Sequence, residues 1–552
     1  MNQRYMMLAT AMTLLGSTIL SACTSTDGKD GTATTTKTAV AVAEAGVFPI
    51  VEKPITMKVM VKGNALVEDF NTNEFTKWYE AKTNIHIDWE IVPPNNAPEK
   101  LNVVLASGDY PDVILDMGVS PTQQMIYGEQ GSFLALNDLI DKYGVEIKKM
   151  FGEQPDTKDL ITAPNGKIYS LPQVNQCYHC SMSSKMWIYK PWLDKLGLKM
   201  PVTTDEFYQV LKAFREKDPN GNGKQDEIPF AGAFIGPGTQ IDLFMMSAFV
   251  YNPQSHLYLK NGKVETSFDK PEWKEGLKYM NKLFAEKLIS AESFTQDTTQ
   301  FKQMGENADT PILGVAVGQA YGQFSQVYGK SGRWKDYIAV PPLKGPGGLQ
   351  ITDLNPYGIK QGTFVITDKA KNPAAALRWA DGLFNREITL TSVFGRKDKE
   401  WEYAKPDEKG INGKPAIWKR LVNFGQVQNI HWAQTGPSLR SNDLRLGEAI
   451  NPEQPLELML YKETNEKYDP YKAKLEQILP ELFFTSSQAA DVADLQKTIG
   501  DYQAQMFARF VTGDLNVDTG WDNYIKTLDN MNLKKYVKIY QDAYDAKFKS
   551  KK

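Results

Sequence analysis

Between Asp218 and Glu227 the chain reads Asp-Pro-Asn-Gly-Asn-Gly-Lys-Gln-Asp-Glu. Oxygen-bearing side chains fall at the first, third, fifth and ninth positions, as Asp218, Asn220, Asn222 and Asp226, and the glycine at the sixth allows the sharp turn that lets them converge on one hard cation. Lys224, at the seventh, has only its backbone carbonyl to give. The usual loop ends in a bidentate glutamate at position twelve. Here that position is Pro229, and Glu227 at position ten is the candidate replacement. Calcium, in a structural role, suits this donor set. The competing reading is an Asp/Asn/Gly turn that closes the preceding helix.

Other chemistry is thinner. Cys177-Tyr178-His179-Cys180 has the spacing of a redox pair, but it lies among Gln, Asn and Ser and not at a helix start, so a local disulfide, free thiols and redox chemistry all stay open. His86, His179, His256 and His431 are scattered, with no pair at metal-ligand spacing, no Gly-x-Ser-x-Gly and no phosphate-cradling Gly-Lys-Thr loop. The acidic residues leave a paired-carboxylate glycosidase site open, because its two carboxylates need only meet in space. Aromatic residues are plentiful, at 11%. Sugar rings present apolar C–H faces to such rings while their hydroxyls seek amide and carboxylate partners. Trp78, Trp273 and Trp379 fall on helical apolar faces and read as packing. Trp334, beside Arg333, and Trp432, beside His431, have polar, glycine-containing surroundings that fit a cleft wall or a core equally.

The first residues set where such a site would work. Arg4 is followed by a mostly apolar run from Tyr5 to Leu20, too short for a membrane span but suited to a secretory signal. The run ends Leu20-Ser21-Ala22-Cys23, which resembles the signal of bacterial lipoproteins and implies a lipidated Cys23. Residues 24 to about 45 are mostly Ser, Thr, Gly, Ala, Asp and Lys without an aromatic, a flexible tether. The protein is expected on the outer face of the cell membrane, touching it only through the lipid. A net charge of −3 argues against nucleic acid as a partner.

The rest of the chain, roughly 500 residues, exceeds what one core usually serves. Ile55, Met57, Val59 and Val61 alternate as in a strand; Val67, Phe70, Phe75, Trp78 and Tyr79 recur as in a helix; Ile85, Ile87, Trp89 and Ile91 alternate again. A second helix, about 97–106, leads to the apolar Val113-Ile114-Leu115. This order predicts a parallel sheet, with ligands beyond the carboxyl ends of its strands, where Asp116 stands. Further elements follow: a capping box at Thr203-x-x-Glu206, strands at 312–317 and 337–340, a helix from Asn372-Pro373, and a largely helical last hundred residues.

Ser107-Gly108-Asp109-Tyr110-Pro111-Asp112, Gly166-Lys167-Ile168-Tyr169-Ser170-Leu171-Pro172, Trp192-Leu193-Asp194-Lys195-Leu196-Gly197-Leu198 and the cation loop occur in an order that resembles family 1 extracellular solute-binding proteins, in particular the large Gram-positive lipoprotein branch related to alginate-binding proteins. The resemblance runs from about Ile55 to the C-terminus. It implies an α/β, two-lobe periplasmic-binding-protein-like fold with discontinuous lobes, a hinge and a helix-rich C-terminal part. It also implies capture of an oligosaccharide for an ABC permease, without catalysis; a carbohydrate-active enzyme and a sugar sensor for a receptor kinase are the alternatives. The protein is expected to be a monomer. By the same resemblance Asp116 to Ser120 reach sugar hydroxyls, Gly318, Gln319 and Tyr321 lie on the facing wall without the family's tryptophan, and Tyr169 to Pro172 form the first hinge crossing. Asp218, Asn220, Asn222, Lys224, Asp226 and Glu227 match the calcium ligands one for one. Tyr357 and Trp432 complete the expected ligand set. The expected division is signal 1–22, tether 23–53, lobe 1 at 54–171, lobe 2 at 172–360 with the loop at 218–229, a return to lobe 1 at 361–430, and the helical end of lobe 2 at 431–552.

Overall fold

The computed structural model describes residues 40–549, save 235, 237, 308, 309 and 424. The signal, Cys23 and most of the expected tether lie outside the described residues. Strands follow in the order β1 (Ile55–Lys62), β2 (Ile85–Val92), β3 (Val113–Leu115), β4 (Leu171–Asn175), β5 (Met186–Tyr189), β6 (Ile228–Ala231) and β7 (Leu257–Lys260). They continue with β8 (Lys263–Thr266), β9 (Leu313–Val317), β10 (Tyr337–Val340), β11 (Ile359–Ile366), β12 (Trp401–Tyr403), β13 (Trp418–Arg420) and β14 (Ser438–Arg440).

Ten of these strands form two sheets, and β7-β8 and β12-β13 are separate two-stranded pairs. The first lobe holds a six-stranded sheet in the order β14-β4-β11-β3-β1-β2, the second a four-stranded sheet in the order β10-β5-β9-β6. In β2 the period-two pattern is plain: Ile85, Ile87 and Trp89 are buried, while His86, Asp88 and Glu90 face solvent. All three residues of β3 are buried, as a strand covered on both faces requires. One face of the first sheet carries Phe75, Tyr79, Ile140, Leu377 and Trp379 from its helices. The other carries Leu101, Val104 and Met125, together with Phe483 from the C-terminal region.

The second lobe has its own core. Trp187, Phe207, Leu211, Phe230, Leu277 and Val315 belong to it, and the helices Ser486–Thr512, Val517–Asn530 and Leu533–Tyr544 extend it. The predicted capping box forms: Thr203 Oγ1 accepts from the Glu206 N–H at 3.1 Å, and Glu206 Oε2 accepts from the Thr203 N–H at 3.2 Å. It opens the helix Thr204–Glu216, whose inner face is Phe207, Val210, Leu211 and Phe214.

The passage between lobes falls elsewhere than expected. Tyr169 and Ser170 are buried in the first lobe, where Ser170 Oγ donates to Gln124 Oε1 at 2.7 Å and accepts from the Gly362 N–H at 3.2 Å. Leu171 and Pro172 begin β4, which pairs with both β11 and β14. The chain therefore crosses after Asn175. It returns between Val340 and Ile359, and crosses a third time between Arg440 and the helix Leu456–Lys467. The segment from 431 to Arg440 accordingly belongs to the first lobe, because β14 adds to its sheet.

Candidate functional site: the edges between the lobes and the cation loop

Strand directions decide which residues face each other. β1, β3, β4 and β14 all run the same way, and antiparallel β11 starts where they end. One edge of the first sheet thus collects Lys62, Leu115, Asn175, Arg440 and the start of β11. In the second sheet the ends of β6, β9 and β10 share an edge with the start of β5. The links β4 to β5 and β10 to β11 join these two edges, so the edges face one another. This is the place where an α/β sheet offers a ligand its loops.

On the first edge Asp116 follows β3 in a left-handed conformation, φ 55°, with its N–H donating to Thr363 O at 2.7 Å. Its carboxylate is 8% exposed and pairs with the Lys360 ammonium, which is 45% exposed. Lys360 stands at one end of a register shift in β11 that runs to Phe364. Gly362 sits in that irregularity at φ 64°, where a Cβ would lie 1.8 Å from Val119 O; only glycine fits. Ser120 then starts the helix Pro121–Glu129 with a capping box to Gln123. Asn64, just beyond β1, donates to Ala433 O and Thr435 Oγ1, both at 3.1 Å, and so fixes the 433–436 turn beside the strand end.

On the second edge Gln319 follows β9, half-buried, and its Nε2 donates to Cys180 O at 3.4 Å. Tyr357 lies partly exposed in the second crossing, within electrostatic reach of Asp156 and Tyr544. Asp116, Gln319 and Tyr357 therefore all sit on the facing edges or crossings.

Two expected ligand contacts are core residues. Tyr321 is 0% exposed, its ring 4.2 Å from that of Trp187 and 5.5 Å from that of Trp334. Trp432 is 1% exposed, edge-on to Phe75 at 4.7 Å and to Trp89 at 5.6 Å, with its indole N–H donating to Thr76 Oγ1 at 2.8 Å. The polar neighbours of Trp432 in sequence form a turn while the indole points inward and finds its one acceptor inside.

The crossings are cross-braced. Cys177 and Cys180 form a disulfide in the first. Asp353, from the second, accepts from Ser183 Oγ at 2.7 Å and from the Ser184 N–H at 3.1 Å, and the Asn355 N–H donates to Ser181 O at 2.7 Å. The buried Lys185 ammonium donates to His179 O and Met182 O, and burial pushes its pKa down to about 7. A cavity of about 570 Å³ lies against these segments, lined by Gln176, Tyr178, Met182, Asn355, Asn442 and Lys472. Neither Lys360, Asp353 nor Lys185 stands out in sequence, because each acts on a partner that no local spacing reveals.

The cation loop lies in the second lobe between the helix Thr204–Glu216 and β6. Asp218 accepts from the N–H groups of Gly221 at 2.8 Å, Asn222 at 3.2 Å and Gly223 at 3.0 Å, and it adopts φ 44°. Asn220 and Asn222 direct their amides at the Asp226 carboxylate, at 2.8 Å and 2.9 Å. Rotating either amide by half a turn presents its oxygen to the same centre. Glu227 is 2% exposed, and its Oε2 has no hydrogen-bond partner among the described residues. Burial, with the charges of Asp218 and Asp226, raises its pKa. An orphaned carboxylate oxygen beside two further carboxylates is what a cation would satisfy, so the donor set fits calcium.

Two discontinuous α/β lobes, joined by braced crossings with polar residues on their facing edges, define a ligand-binding protein of the two-lobe class. The chain belongs to the bacterial extracellular solute-binding proteins, whose family model matches residues 60–388. It is 32% identical over 518 residues to the fructooligosaccharide ABC transporter substrate-binding protein FusA of Streptococcus pneumoniae, covering 90% of this chain and 91% of that one. The structure of FusA in complex with kestose superposes with a TM-score of 0.75 at 29% identity, over 90% of this chain and 100% of that one. A FusA EF-hand mutant in complex with fructo-nystose gives 0.75 at 28%, over 90% and 100%. The alginate-binding protein AlgQ2, solved without calcium ion, gives 0.66 at 25%, over 90% and 99%. No helix among the described residues is long and apolar enough to cross a membrane.

Proposed function

We propose that this protein captures an oligosaccharide between its two lobes and delivers it to an ABC permease, from a lipid anchor at Cys23 on the outer face of the cell membrane. The observation that carries this reading is the facing pair of sheet edges, with Asp116 at a strand's carboxyl end, in a chain of the solute-binding family. A sugar between the lobes reaches both walls only when they approach, so its binding energy favours the closed state. Asp116 is the acceptor on one wall and Gln319 the amide on the other; the braced crossings keep the approach a rotation. The protein binds its ligand without transforming it. The fructooligosaccharides held by FusA make short fructans the first ligands to try.

In the cation loop Asp218, Asn220, Asn222, the Lys224 carbonyl, Asp226 and Glu227 would hold calcium. The ion supplies a structural clamp there, well away from the facing edges. Its support is the orphaned Glu227 oxygen together with the EF-hand of FusA and the alginate-binding protein AlgQ2, which was solved without calcium ion.

A thermal-shift and calorimetric screen of kestose and other oligosaccharides tests the reading. A ligand at 100 times its Kd stabilises by about 2.7 kcal/mol. Asp116→Ala should weaken the complex roughly ten- to a hundredfold, the worth of a charge-assisted hydrogen bond of about 1.5 to 3 kcal/mol. Products of cleavage after prolonged incubation, or no response to any oligosaccharide, would overturn it.

A further inference from the structure

Arg440, the last residue of β14, is 1% exposed, and its guanidinium Nε and Nη2 have no hydrogen-bond partner among the described residues. Ser438, two residues earlier and therefore on the same face of the strand, is 2% exposed with an equally unpartnered Oγ. The position is pinned: the Arg440 carbonyl accepts from the Gln176 N–H at 2.9 Å, at the root of the first crossing.

The neighbouring charges do not balance Arg440. Glu457 lies within its electrostatic reach but is already held by Arg445 at 3.1 Å and faces His179 at 3.6 Å. Glu448 is taken by Arg420 at 2.9 Å. Three guanidinium groups thus stand against two carboxylates, and burial holds His179 toward its neutral form. The like charge of Arg445 adds to the strain on Arg440, whose pKa is driven down to about 9, burial being the larger cause. A buried, unpaired charge costs several kcal/mol, and proteins rarely leave one uncompensated.

We propose that a small monovalent anion of the halide class binds between the Arg440 guanidinium and the Ser438 hydroxyl, beneath the junction of the first and third crossings. The excess is one positive charge, so a single negative charge neutralises it. The unpartnered groups are N–H and O–H donors, which a spherical acceptor satisfies at any angle. The near-complete burial of both side chains disfavours a sugar acid or a phosphate ester, whose bulk would need an open mouth. Arg440 shares the facing edge of the first sheet with Asp116, but β4 and β11 stand between their strands, and the cation loop lies in the other lobe.

Bromide is the probe. Crystals of the protein soaked in sodium bromide should show an anomalous peak in hydrogen-bonding range of Arg440 Nε and Nη2 and of Ser438 Oγ. In solution, replacing isethionate by chloride or bromide at constant ionic strength should raise Tm by about 2 °C in a saturable way. Arg440→Met, an apolar side chain of similar length, should abolish the halide response. Ser438→Ala, which leaves the guanidinium and the strand intact, should raise the half-saturating halide concentration about tenfold. A water in place of the peak overturns the proposal, as does an added oligosaccharide, formate or phosphate bound there in place of the halide. A halide response that survives unchanged in both variants overturns it as well.

Discussion

Glu227→Gln separates a calcium ligand from a merely structural carboxylate. Oε2 of Glu227 is buried without a hydrogen-bond partner among the described residues, and Oε1 accepts from the Asn220 N–H at a long 3.4 Å. Without metal, three carboxylates share this small loop, and an unsatisfied buried acceptor costs about 1 to 3 kcal/mol, more when charged. The amide removes the charge at almost constant volume, so in EDTA the variant should equal the wild type or exceed it by about 1 kcal/mol. In calcium the order should reverse. Calcium at 100 times its Kd contributes about 2.7 kcal/mol. Losing one charged ligand, taken as a charge-assisted contact of about 1.5 to 3 kcal/mol, removes most of that. Urea denaturation of both proteins, each in EDTA and in saturating calcium, gives the four stabilities. Asp218→Ala is the contrast: it loses three loop hydrogen bonds as well as a ligand, so it should fall by about 3 kcal/mol even in EDTA. Equal destabilisation by Glu227→Gln in the two conditions would refute the reasoning, since a metal ligand must matter more when the metal is present.

Lys185 sets a pH dependence. Its folded pKa of about 7 lies below the unfolded lysine value of roughly 10.4. Between those values the unfolded chain binds the extra proton, so stability should rise with pH across that window and Lys185→Met should flatten the rise. A wild-type profile already flat from pH 7 to 10 would contradict it. Trp432→Ala should cost about 3 to 5 kcal/mol of ligand-free stability through the cavity it leaves among Phe75, Trp89 and Trp379; an unchanged denaturation midpoint would place the indole outside the core. Cys23→Ala should move the protein from the membrane pellet to the soluble fraction, and retention after a salt wash would remove the lipid anchor.

Local signals are legible where a residue's neighbours in sequence are also its neighbours in space: the alternation of Ile85, Ile87 and Trp89 forms a strand, the Thr203–Glu206 box caps its helix, and the residues of the Asp218 to Glu227 loop hydrogen-bond among themselves. The hinge expected at Tyr169 to Pro172 rests on the family resemblance, and Pro172 instead lies inside β4. It is tolerated inside β4 because it has no partner in the ladder with β14, which begins at Gln173, or in the irregular ladder with β11. Trp432 is ambiguous in sequence because the direction of a side chain in a tight turn depends on backbone angles that composition does not encode, and Ala433 and Gln434 take φ of 46° and 73° here. The candidate site itself is built from meetings that sequence distance conceals. Asp116 and Lys360 are 244 residues apart, and Ser183 reaches Asp353 across 170. Those meetings follow from the discontinuous lobes. A chain that crosses three times between sheets assembles each facing edge from segments laid down at different passes, so Asp116 after β3 meets Lys360 of β11 only because those two strands pair directly in the first sheet.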